Sequence, residues 1–355
     1  MPFLTTKKLN PENQESPIHF LYKWLTPTKY FYRRNHFSYP VLTEKNFWLQ
    51  VAGQVFQPRV FRYDELLSMP RKSLVIPLEC AGNKRANFIP KVYGEQWEDG
   101  AISQGKWTGV PLKYILQIVG ISSHAKEVVF EGADFGKKLG IDGSIPFERS
   151  LPIEKALHTD TIIAFQYNDK PLTLKHGFPL RLIVPNWYGM ASVKWLHKIT
   201  IIQHAFTGPF QTDDYVYYPH KDSDKDSLPV TILNVNSTIQ QPINQSILTT
   251  GTHTIQGIAW TGWGIITEVQ ISFDKGETWH NAALNCLPHE DYSWIYWSYQ
   301  WQIEKKGEYS IYSRAKDSEG RIQPLFSFWN RKGYGYNAVS KVNVKIEEEP
   351  SPHCH

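Results

Sequence analysis

The chain has few cysteines, since its 355 residues include only Cys80, Cys286 and Cys354. An odd and sparse set of this kind does not form a disulfide framework, so packed cores must stabilise the fold. The sequence also lacks any run of about 18 apolar residues, so we expect no membrane-spanning helix. The formal net charge of +4 is too small to indicate nucleic-acid binding. It is compatible with an anionic substrate, but ordinary surface variation explains it more simply.

Several cofactor and targeting motifs are also missing. No Gly-x-Gly-x-x-Gly fingerprint, no phosphate-binding loop ending in Gly-Lys-Ser/Thr and no Cys-x-x-Cys-His haem motif occurs in the sequence. The first residues, MPFLTTKKLNPENQESP, contain neither an apolar signal core nor an early twin arginine. The default expectation is therefore a cytoplasmic protein.

Apolar and aromatic residues, in contrast, are plentiful. Hydrophobic residues make up 41% of the chain, which includes 13 Trp, 19 Tyr and 18 Phe. This composition supports buried cores and favours β-structure. The length is comfortable for two domains.

The first part of the chain mixes predicted strands with predicted helices. Residues 1–30 are expected to form an N-terminal arm that packs onto the surface, and residues 31–215 a mixed domain. There, NFWLQVAGQV and EVVFEGAD predict strands, whereas YDELLSMP and VPLKYILQIVG predict short helices, the second ending at Gly120. The elements show no regular βαβ repeat, so the predicted fold class is α+β.

The pattern changes in the second part of the chain. Residues 216–229 end in HKDSDKDSLP, a charged stretch that is typical of a linker. Residues 230–348 form short alternating segments at regular spacing, which predicts an immunoglobulin-like β-sandwich. Cys286 is interpreted as a buried apolar filler near a strand end. Residues 349–355, which include Cys354 between two histidines, are expected to be a disordered tail.

One segment has distinctive chemistry, namely LECAGNKR at residues 78–85. A strand-like apolar run leads into an Ala-Gly-Asn turn that presents the Cys80 thiol beside Lys84 and Arg85. Neighbouring cations favour the thiolate, which can serve as a nucleophile or as a soft-metal ligand. A buried and inert cysteine is the competing interpretation of this segment.

Seven segments together resemble the sulfite oxidase family, in the order in which they occur in that family. LECAGNKR resembles the molybdenum-ligand motif, in which one protein cysteine and a pterin dithiolene hold the metal. The resemblance runs from about residue 30 to about residue 345. The other six segments are RRNHF (33–37), WEDGAISQGKWTGVPL (97–112), EGAD (131–134), GSIP (143–146), HGFPLRLIVPNWYGMASVKWL (176–196) and WNRKGYGYN (329–337).

The resemblance implies a molybdopterin-dependent oxidoreductase whose mixed cofactor-binding domain is followed by a dimer-forming β-sandwich. Cys80 would ligate the metal, Arg34 and Arg85 would bind an oxyanion, and Tyr215 would donate a hydrogen bond. A guanidinium suits this role because it can hold two oxyanion oxygens at once. The positions implied to bind the molybdopterin cofactor are Asn35, His36, Asp134, Ser144, His176, Arg181, Ser192 and Lys194.

Two features leave alternatives open. Tyr217 and Tyr218 lie close to Tyr215 and could take its place. Sulfite-oxidising members carry a further arginine just after a Trp-Asn pair near the C-terminus, where this chain has Arg331 followed by Lys332. Oxidation of sulfite is therefore the leading expectation, with reduction of a sulfoxide or of nitrate, or a non-catalytic cofactor-binding protein, as alternatives.

The expected partners follow from the same resemblance. A small oxyanion is expected as the substrate, and a second copy of the chain as the partner in a homodimer. The sequence has no haem-attachment motif and no cytochrome-b5-like module. The electrons would therefore pass to a separate acceptor such as a cytochrome. Neither nucleic acid nor a membrane span is expected.

Overall fold

The computed structural model describes residues 3–285 and 291–348. Cys286, Cys354 and the predicted tail at 349–355 lie outside the described residues. The described part is mostly β-structure with short helices, so the predicted α+β domain contains strands and helices but far fewer helical residues than strand residues. The physical reason is length, because the predicted helices exist but span only four to eight residues each.

The chain divides into two compact units. The first contains the described residues up to 17, residues 23–232 and residues 329–335, and the second contains residues 18–22, 233–328 and the described residues from 336 onward. The elements of the first unit are β1 (Thr5–Lys8), β2 (Asn13–Glu15), β3 (Trp48–Gly53), β4 (Arg59–Arg62), α1 (Tyr63–Ser68), β5 (Lys72–Glu79), β6 (Ile102–Pro111), α2 (Leu112–Val119), β7 (Glu127–Lys137), β8 (Ser144–Pro152), α3 (Ile153–Ala156), β9 (Ile162–Tyr167), β10 (Lys170–Pro171), β11 (Arg181–Ile183), β12 (Leu196–Ile202), β13 (Val216–Tyr217) and β14 (Leu228–Pro229). The strands of the second unit are β15 (Asn236–Gln241), β16 (Ser246–Thr249), β17 (Gly251–Trp260), β18 (Ile266–Ser272), β19 (His280–Asn281), β20 (Ala283–Asn285), β21 (Ile295–Ile303), β22 (Gly307–Asp317) and β23 (Ser340–Glu347).

Two five-stranded sheets organise the first unit. One has the order β10-β9-β6-β5 with β11 also paired to β9, and the other has the order β4-β3-β12-β7-β8. The sequence of β5, KSLVIPLE, becomes fully buried over its last five residues because its apolar run is covered on both faces. Its antiparallel pairing with β6 extends to its last residue, Glu79. Cys80 therefore follows directly from the end of a well-anchored strand.

The helix α2 shows why the predicted helices form and where they stop. Its apolar residues recur at helical spacing, and Leu112, Ile115, Leu116 and Val119 are all buried. The next residue, Gly120, has a φ of 63°, a left-handed conformation that glycine adopts without a steric penalty. The predicted end of this helix is thereby confirmed.

The N-terminal arm contains a hairpin. Strands β1 and β2 pair antiparallel, and Gln14 exchanges backbone hydrogen bonds of 2.9 and 2.7 Å with Arg33. The arm is therefore attached to the start of RRNHF. Residues 216–229, expected to be a linker, begin and end in the paired strands β13 and β14 and belong to the first unit.

The second unit consists mainly of two sheets that share one core. One has the order β15-β17-β21-β20 and the other β16-β23-β22-β18-β19. In β21, alternate residues Trp297, Trp301 and Ile303 point into this core, and Ile311 and Ala315 of β22 enter it from the other sheet. The alternation that predicts strands in this region thus reflects burial of one face of each sheet.

The longest helix among the described residues, α2, has eight residues. No helix in residues 3–285 or 291–348 is long and apolar enough to cross a bilayer.

Candidate functional site

Cys80 lies in a tight turn directly after β5. Its backbone N–H donates to Ala101 O at 2.9 Å, and its carbonyl accepts from the N–H of Asn83 at 2.8 Å. The Asn83 side chain in turn accepts a hydrogen bond from the N–H of Ala101 at 3.0 Å. Lys84 follows with a φ of 62°, a left-handed conformation that reverses the chain. The local sequence thus fixes the position of the thiol through its backbone.

The electrostatics around Cys80 differ from the simple expectation. Burial raises the pKa of the Cys80 thiol, and Arg34, Arg85 and the N–H of Gly82 lower it without cancelling that effect. Lys84 is itself buried, and its ammonium lies 3.9 Å from Asp99. Arg34 and Arg85 therefore favour the thiolate, as neighbouring cations are expected to do, but burial outweighs them. A bound metal ion would supply the missing positive charge.

Arg85 is buried and held by backbone carbonyls. Its Nε donates to Lys332 O at 3.1 Å and to Gly333 O at 3.2 Å, and its Nη1 donates to Glu95 O at 3.0 Å. Its guanidinium carbon lies 5.0 Å from the centroid of the Tyr334 ring. Its Nη2 makes no hydrogen bond to any residue that the structure describes, so this donor remains available to a ligand.

Glycines make room for the Arg85 guanidinium. A Cβ added at Gly82 would lie 2.5 Å from Nη2, and one added at Gly94 would lie 2.8 Å from Nη1. The φ of Gly94 is also 113°, which other residues rarely adopt. The close approach of these two backbone segments explains why the guanidinium has so little freedom.

A cavity brings most of the sequence-predicted site residues together in the first unit. It is lined by Cys80 and Ala81, by the RRNHF segment and by residues that follow β10 and β11. The predicted residues in its lining are Cys80, Arg34, Tyr215, Asn35, His36, Asp134, His176, Arg181, Ser192 and Lys194.

Three of these side chains form a connected group. The His36 Nε2 and the Tyr215 Oη lie 2.8 Å apart, within hydrogen-bond distance. The Arg34 Nη2 lies 3.5 Å from the other ring nitrogen of His36. Burial lowers the pKa of His36 well below its ordinary value, and the charges of Arg34 and Lys194 lower it further. The imidazole is therefore neutral at pH 7 and can act as a hydrogen-bond acceptor or donor toward Tyr215.

The cavity lining also includes the cations Arg181 and Lys194. Arg181 donates from Nε to Ser192 O at 3.2 Å and from Nη1 to His176 O at 3.3 Å. Lys194 donates to Arg34 O at 3.1 Å and also to the side chain of Asn35. Burial lowers the pKa of His176 to about 3, and Arg181 and Lys194 lower it further.

Asp134 is a buried carboxyl near these cations. Burial raises its pKa to about 6, an effect that Lys194 partly offsets. A carboxyl in this position can accept hydrogen bonds from amino groups of a polar ligand.

The N-terminal arm supports Asn35 in the same cavity. The Asn35 N–H donates to Asn13 Oδ1 at 2.7 Å, and its Nδ2 donates to Glu12 O at 2.6 Å. The Glu12 carboxylate pairs with Arg33 at 2.8 Å and with Lys175 at 3.1 Å. The sequence predicts the arm but contains no signal for these contacts, because they join residues that are distant in the chain.

The structure does not bring every predicted residue to the cavity. Ser144 is exposed at the start of β8 and does not line it. Arg85 lies close enough to Cys80 to lower the pKa of its thiol, but it does not line the cavity. Arg331 pairs with Asp224, and Lys332 lies 3.8 Å from Asp214 with 37% of its side chain exposed. Neither Arg331 nor Lys332 lines the cavity.

The structure also adds residues that sequence reasoning missed. Tyr334 stacks on Tyr215 with ring centroids 5.3 Å apart. Arg149 is buried, and its guanidinium carbon lies 5.2 Å from the centroid of the Tyr215 ring. Tyr334 falls within the WNRKGYGYN segment and could have been selected from it, whereas nothing around Arg149 in the sequence marks it as special.

A phosphate-bearing molybdenum cofactor fits the donors that line this cavity. The His176 Nε2 is buried without a hydrogen-bond partner among the described residues, while Nδ1 bonds to Thr173 at 2.6 Å. Arg181 is buried and forms no ion pair with those residues. Burying such groups is costly unless an anion compensates them. No three His, Cys, Asp or Glu side chains of the described part are grouped to hold a metal, so a metal at Cys80 would take its other ligands from the cofactor.

Comparison with known proteins supports a molybdopterin cofactor. Residues 36–210 match the family model for an oxidoreductase molybdopterin binding domain, and residues 228–347 match that for a Mo-co oxidoreductase dimerisation domain. The mitochondrial sulfite oxidase of Drosophila melanogaster is 33% identical over 95% of this chain and 62% of its own length. The sulfite oxidase of Gallus gallus is 30% identical over 94% of this chain and 76% of its own.

Relatives named for other activities match as well. Nitrate reductase [NADH] 2 of Phaseolus vulgaris is 30% identical over 95% of this chain and 41% of its own length. The crystal structure of the sulfane dehydrogenase SoxCD from Paracoccus pantotrophus superposes with a TM-score of 0.81 at 27% identity, covering 95% of this chain and 87% of that chain. The chain spans about three fifths of the fly relative and two fifths of the bean relative, so the similarity concerns only the part of each relative that it matches.

Proposed function

The chain belongs to the sulfite oxidase family of molybdopterin-dependent oxidoreductases, and we propose that it oxidises sulfite to sulfate. The observation that carries this proposal is one buried cysteine at the end of β5, with Arg34 and Tyr215 in the same cavity and Arg85 beside it. The reaction joins sulfite and water to give sulfate, two protons and two electrons. The electrons leave to a separate acceptor.

When bound, the cofactor would supply the two-electron oxygen-transfer chemistry. Cys80 holds it at the end of a fixed strand, and a thiolate suits a soft metal ion. Arg34 and the free Nη2 of Arg85 bind the sulfite oxygens and offset their charge as a further oxygen is gained. The Tyr215 Oη accepts a hydrogen bond from the Nε2–H of His36, so its own proton is available to donate to the anion.

The remaining cavity residues hold the cofactor itself. His176, Arg181 and Lys194 would bind its phosphate because they are donors of the cavity lining that form no ion pair with a carboxylate of the described residues. Asp134 accepts from an amino group of the pterin. Asn35, His36 and Ser192 complete the cofactor contacts in this proposal, whereas the exposed position of Ser144 gives it no support.

Reduction of nitrate is the second candidate. It is favoured by the similarity to plant nitrate reductases and by the sequence after Trp329-Asn330, where the arginine expected of sulfite-oxidising members is either displaced to Arg331 or replaced by Lys332. Reduction of a sulfoxide remains a third possibility on the same scaffold. A non-catalytic cofactor-binding protein is disfavoured, because Cys80, Arg34 and Tyr215 all converge on one cavity.

The second domain belongs to this proposal as a homodimerisation domain with an immunoglobulin-like sandwich topology. Its match to a dimerisation-domain model supports the oligomeric state. Its two sheets around one core support the sandwich.

Steady-state kinetics of the molybdenum-loaded protein test the proposal. Sulfite, nitrate and a sulfoxide are compared as substrates, with an artificial electron acceptor or donor. Arg85→Met and Arg34→Met should each lower kcat/KM for sulfite about ten- to a hundredfold, because a charged hydrogen bond in a partly dry site contributes roughly 1.5–3 kcal/mol. Arg85→Lys should restore only part of the loss, since an ammonium lacks the planar fork.

Arg62→Met is the matched control, because Arg62 is exposed and pairs only with the neighbouring Asp64 among the described residues. It should leave the kinetics unchanged. Turnover of nitrate or a sulfoxide without turnover of sulfite would replace the proposed substrate. Normal sulfite kinetics in Arg34→Met and Arg85→Met would remove both arginines from the site.

A further inference from the structure

Arg149, on β8, is a buried cation to which the proposed chemistry gives no role. Its side chain is 1% exposed, and none of the ion pairs among the described residues includes it. Its Nε has no hydrogen-bond partner among those residues, while its Nη1 donates to Phe210 O. Removing a guanidinium from water is costly unless neighbouring groups compensate. The burial of Arg149 therefore needs a structural reason.

The compensating contact is the ring of Tyr215. The guanidinium carbon of Arg149 lies 5.2 Å from the centroid of that ring, over its face. The Tyr334 ring stacks on the same tyrosine at 5.3 Å with an interplanar angle of 25°. Aromatic faces attract cations, and more strongly when both partners are dry. Tyr215 is thus fixed through its ring by Arg149 and Tyr334, and through its hydroxyl by His36.

A second contact fixes the chain that precedes Tyr215. Residues Phe210–Asp214 form a single π-helical turn that ends where Tyr215 begins. By donating to the carbonyl of Phe210, Arg149 ties β8 to the first residue of this turn. The same guanidinium therefore constrains both the backbone that leads to Tyr215 and the ring itself.

The charge of Arg149 persists at neutral pH. Burial lowers the pKa of Arg149 to about 10, and Tyr215, Tyr334 and Asp214 act to raise it. A group with this pKa is protonated at pH 7, so the attraction to the tyrosine face is present under ordinary conditions.

We propose that Arg149 is a positioning residue that holds Tyr215 in the orientation in which its hydroxyl meets His36 and the substrate cavity. The inference rests on the proposed function, in which Tyr215 donates to the oxyanion. Arg149 does not line the cavity, so its effect on turnover must pass through Tyr215.

A double-mutant cycle tests this role in the molybdenum-loaded protein, with rates normalised to bound molybdenum. Arg149→Met should lower kcat/KM for sulfite about tenfold or more, and Tyr215→Phe at least as much. The combined variant should be no slower than Tyr215→Phe alone, because Arg149 has nothing to position once the hydroxyl is gone. Losses that multiply in the combined variant would overturn the inference.

A structural readout separates positioning from general destabilisation. In a crystal structure of Arg149→Met, the Tyr215 ring should be displaced from His36, and an unmoved ring would overturn the inference. Arg149→Lys keeps the positive charge but lacks the planar guanidinium. Compared with Arg149→Met, it should restore part of the rate and part of the wild-type ring position. If Arg149→Met does not fold, Arg149→Lys replaces it in the cycle.

The matched control is Arg314→Met in the second unit, where a guanidinium lies 4.0 Å over the ring of Trp279. It should leave kcat/KM unchanged. If the wild type turns over nitrate or a sulfoxide but not sulfite, the proposed function is wrong. The double-mutant cycle is then measured with the substrate that does turn over. Multiplying losses would then still overturn the role of Arg149.

Discussion

At the residue scale, Cys80 shows how burial and charge oppose each other at a single atom. Burial raises the pKa of its thiol, while Arg34 and Arg85 lower it only in part. The thiol is therefore a poor free nucleophile and a better ligand, since a metal ion would displace its proton. This balance favours the metal-ligand interpretation of LECAGNKR over nucleophilic catalysis.

The first prediction concerns Cys80→Ser. The variant should lose sulfite oxidation, because a hydroxyl is a harder and weaker ligand for a soft metal. It should remain folded, with an unchanged thermal unfolding midpoint, because Cys80 is anchored by backbone hydrogen bonds that serine can keep. Normal activity per chain in Cys80→Ser would show that the cysteine is not the ligand.

The second prediction concerns the pH dependence of stability at Glu15. Burial raises the pKa of this carboxyl to about 7 from its ordinary 4.5, and Lys7 only partly offsets the effect. The folded protein therefore binds the proton more tightly than the unfolded chain. This contribution to stability is fully present below pH 4.5 and is lost as the pH rises through 7.

Glu15→Gln should remove this loss. Relative to the variant, the wild type should lose about 1–3 kcal/mol of unfolding free energy between pH 5 and pH 8.5. Urea unfolding at the two pH values measures the difference. The exposed Glu154→Gln serves as the control and should follow the wild type. Parallel pH profiles of wild type and Glu15→Gln would contradict the account.

At the scale of elements, the sequence predicts what is local. The strand before Cys80 and the helix ending at Gly120 are found where the apolar patterns place them. Strands β18 and β19 likewise pair antiparallel on either side of the Asp-Lys-Gly segment at residues 274–276. What the sequence does not predict depends on contacts between distant segments, such as Arg149 beneath Tyr215 or Glu12 beside Lys175.

The same distinction applies to the candidate site. Short motifs select Cys80, Arg34 and Tyr215 because their neighbours in the chain are informative. Ser144 was selected by its motif as well, yet it is exposed, because alternation along β8 turns its side chain away from the buried face. A motif therefore locates a functional segment more reliably than it identifies which residue of that segment contacts the ligand.

The third prediction concerns the core of the second unit, where Gln323 is a fully buried amide. Its Oε1 accepts from Ser237 Oγ at 2.6 Å and from the Ala315 N–H at 2.8 Å, and its Nε2 donates to Ala338 O at 3.1 Å. Gln323→Met removes all three hydrogen bonds from a buried site and should cost about 2–4 kcal/mol of unfolding free energy. Denaturant unfolding measures it, with the exposed Gln300→Met as control. A loss no larger than that of the control would contradict the network's role.

At the scale of the whole molecule, the fourth prediction is a homodimer formed through the second domain. Light scattering should give a dimer across micromolar concentrations. The second unit exposes large apolar side chains that a partner could cover, including Trp263, Phe326 and Phe328. Phe326→Asp should weaken the dimer, whereas Phe56→Asp, at an exposed position of the first unit, should not. A wild type that remains monomeric throughout would refute this prediction.

The central claim is that this chain oxidises sulfite at a molybdenum centre held by Cys80. The most direct measurement is anaerobic titration of the molybdenum-loaded protein with sulfite in the presence of ferricyanide, counting acceptor reduced and sulfate formed. We expect sulfate in equal amount to the sulfite consumed, two ferricyanide ions reduced for each sulfite, and a rate proportional to bound molybdenum. Loaded wild-type protein that leaves sulfite unchanged, or a Cys80→Ser variant that converts it at the wild-type rate, would contradict the claim.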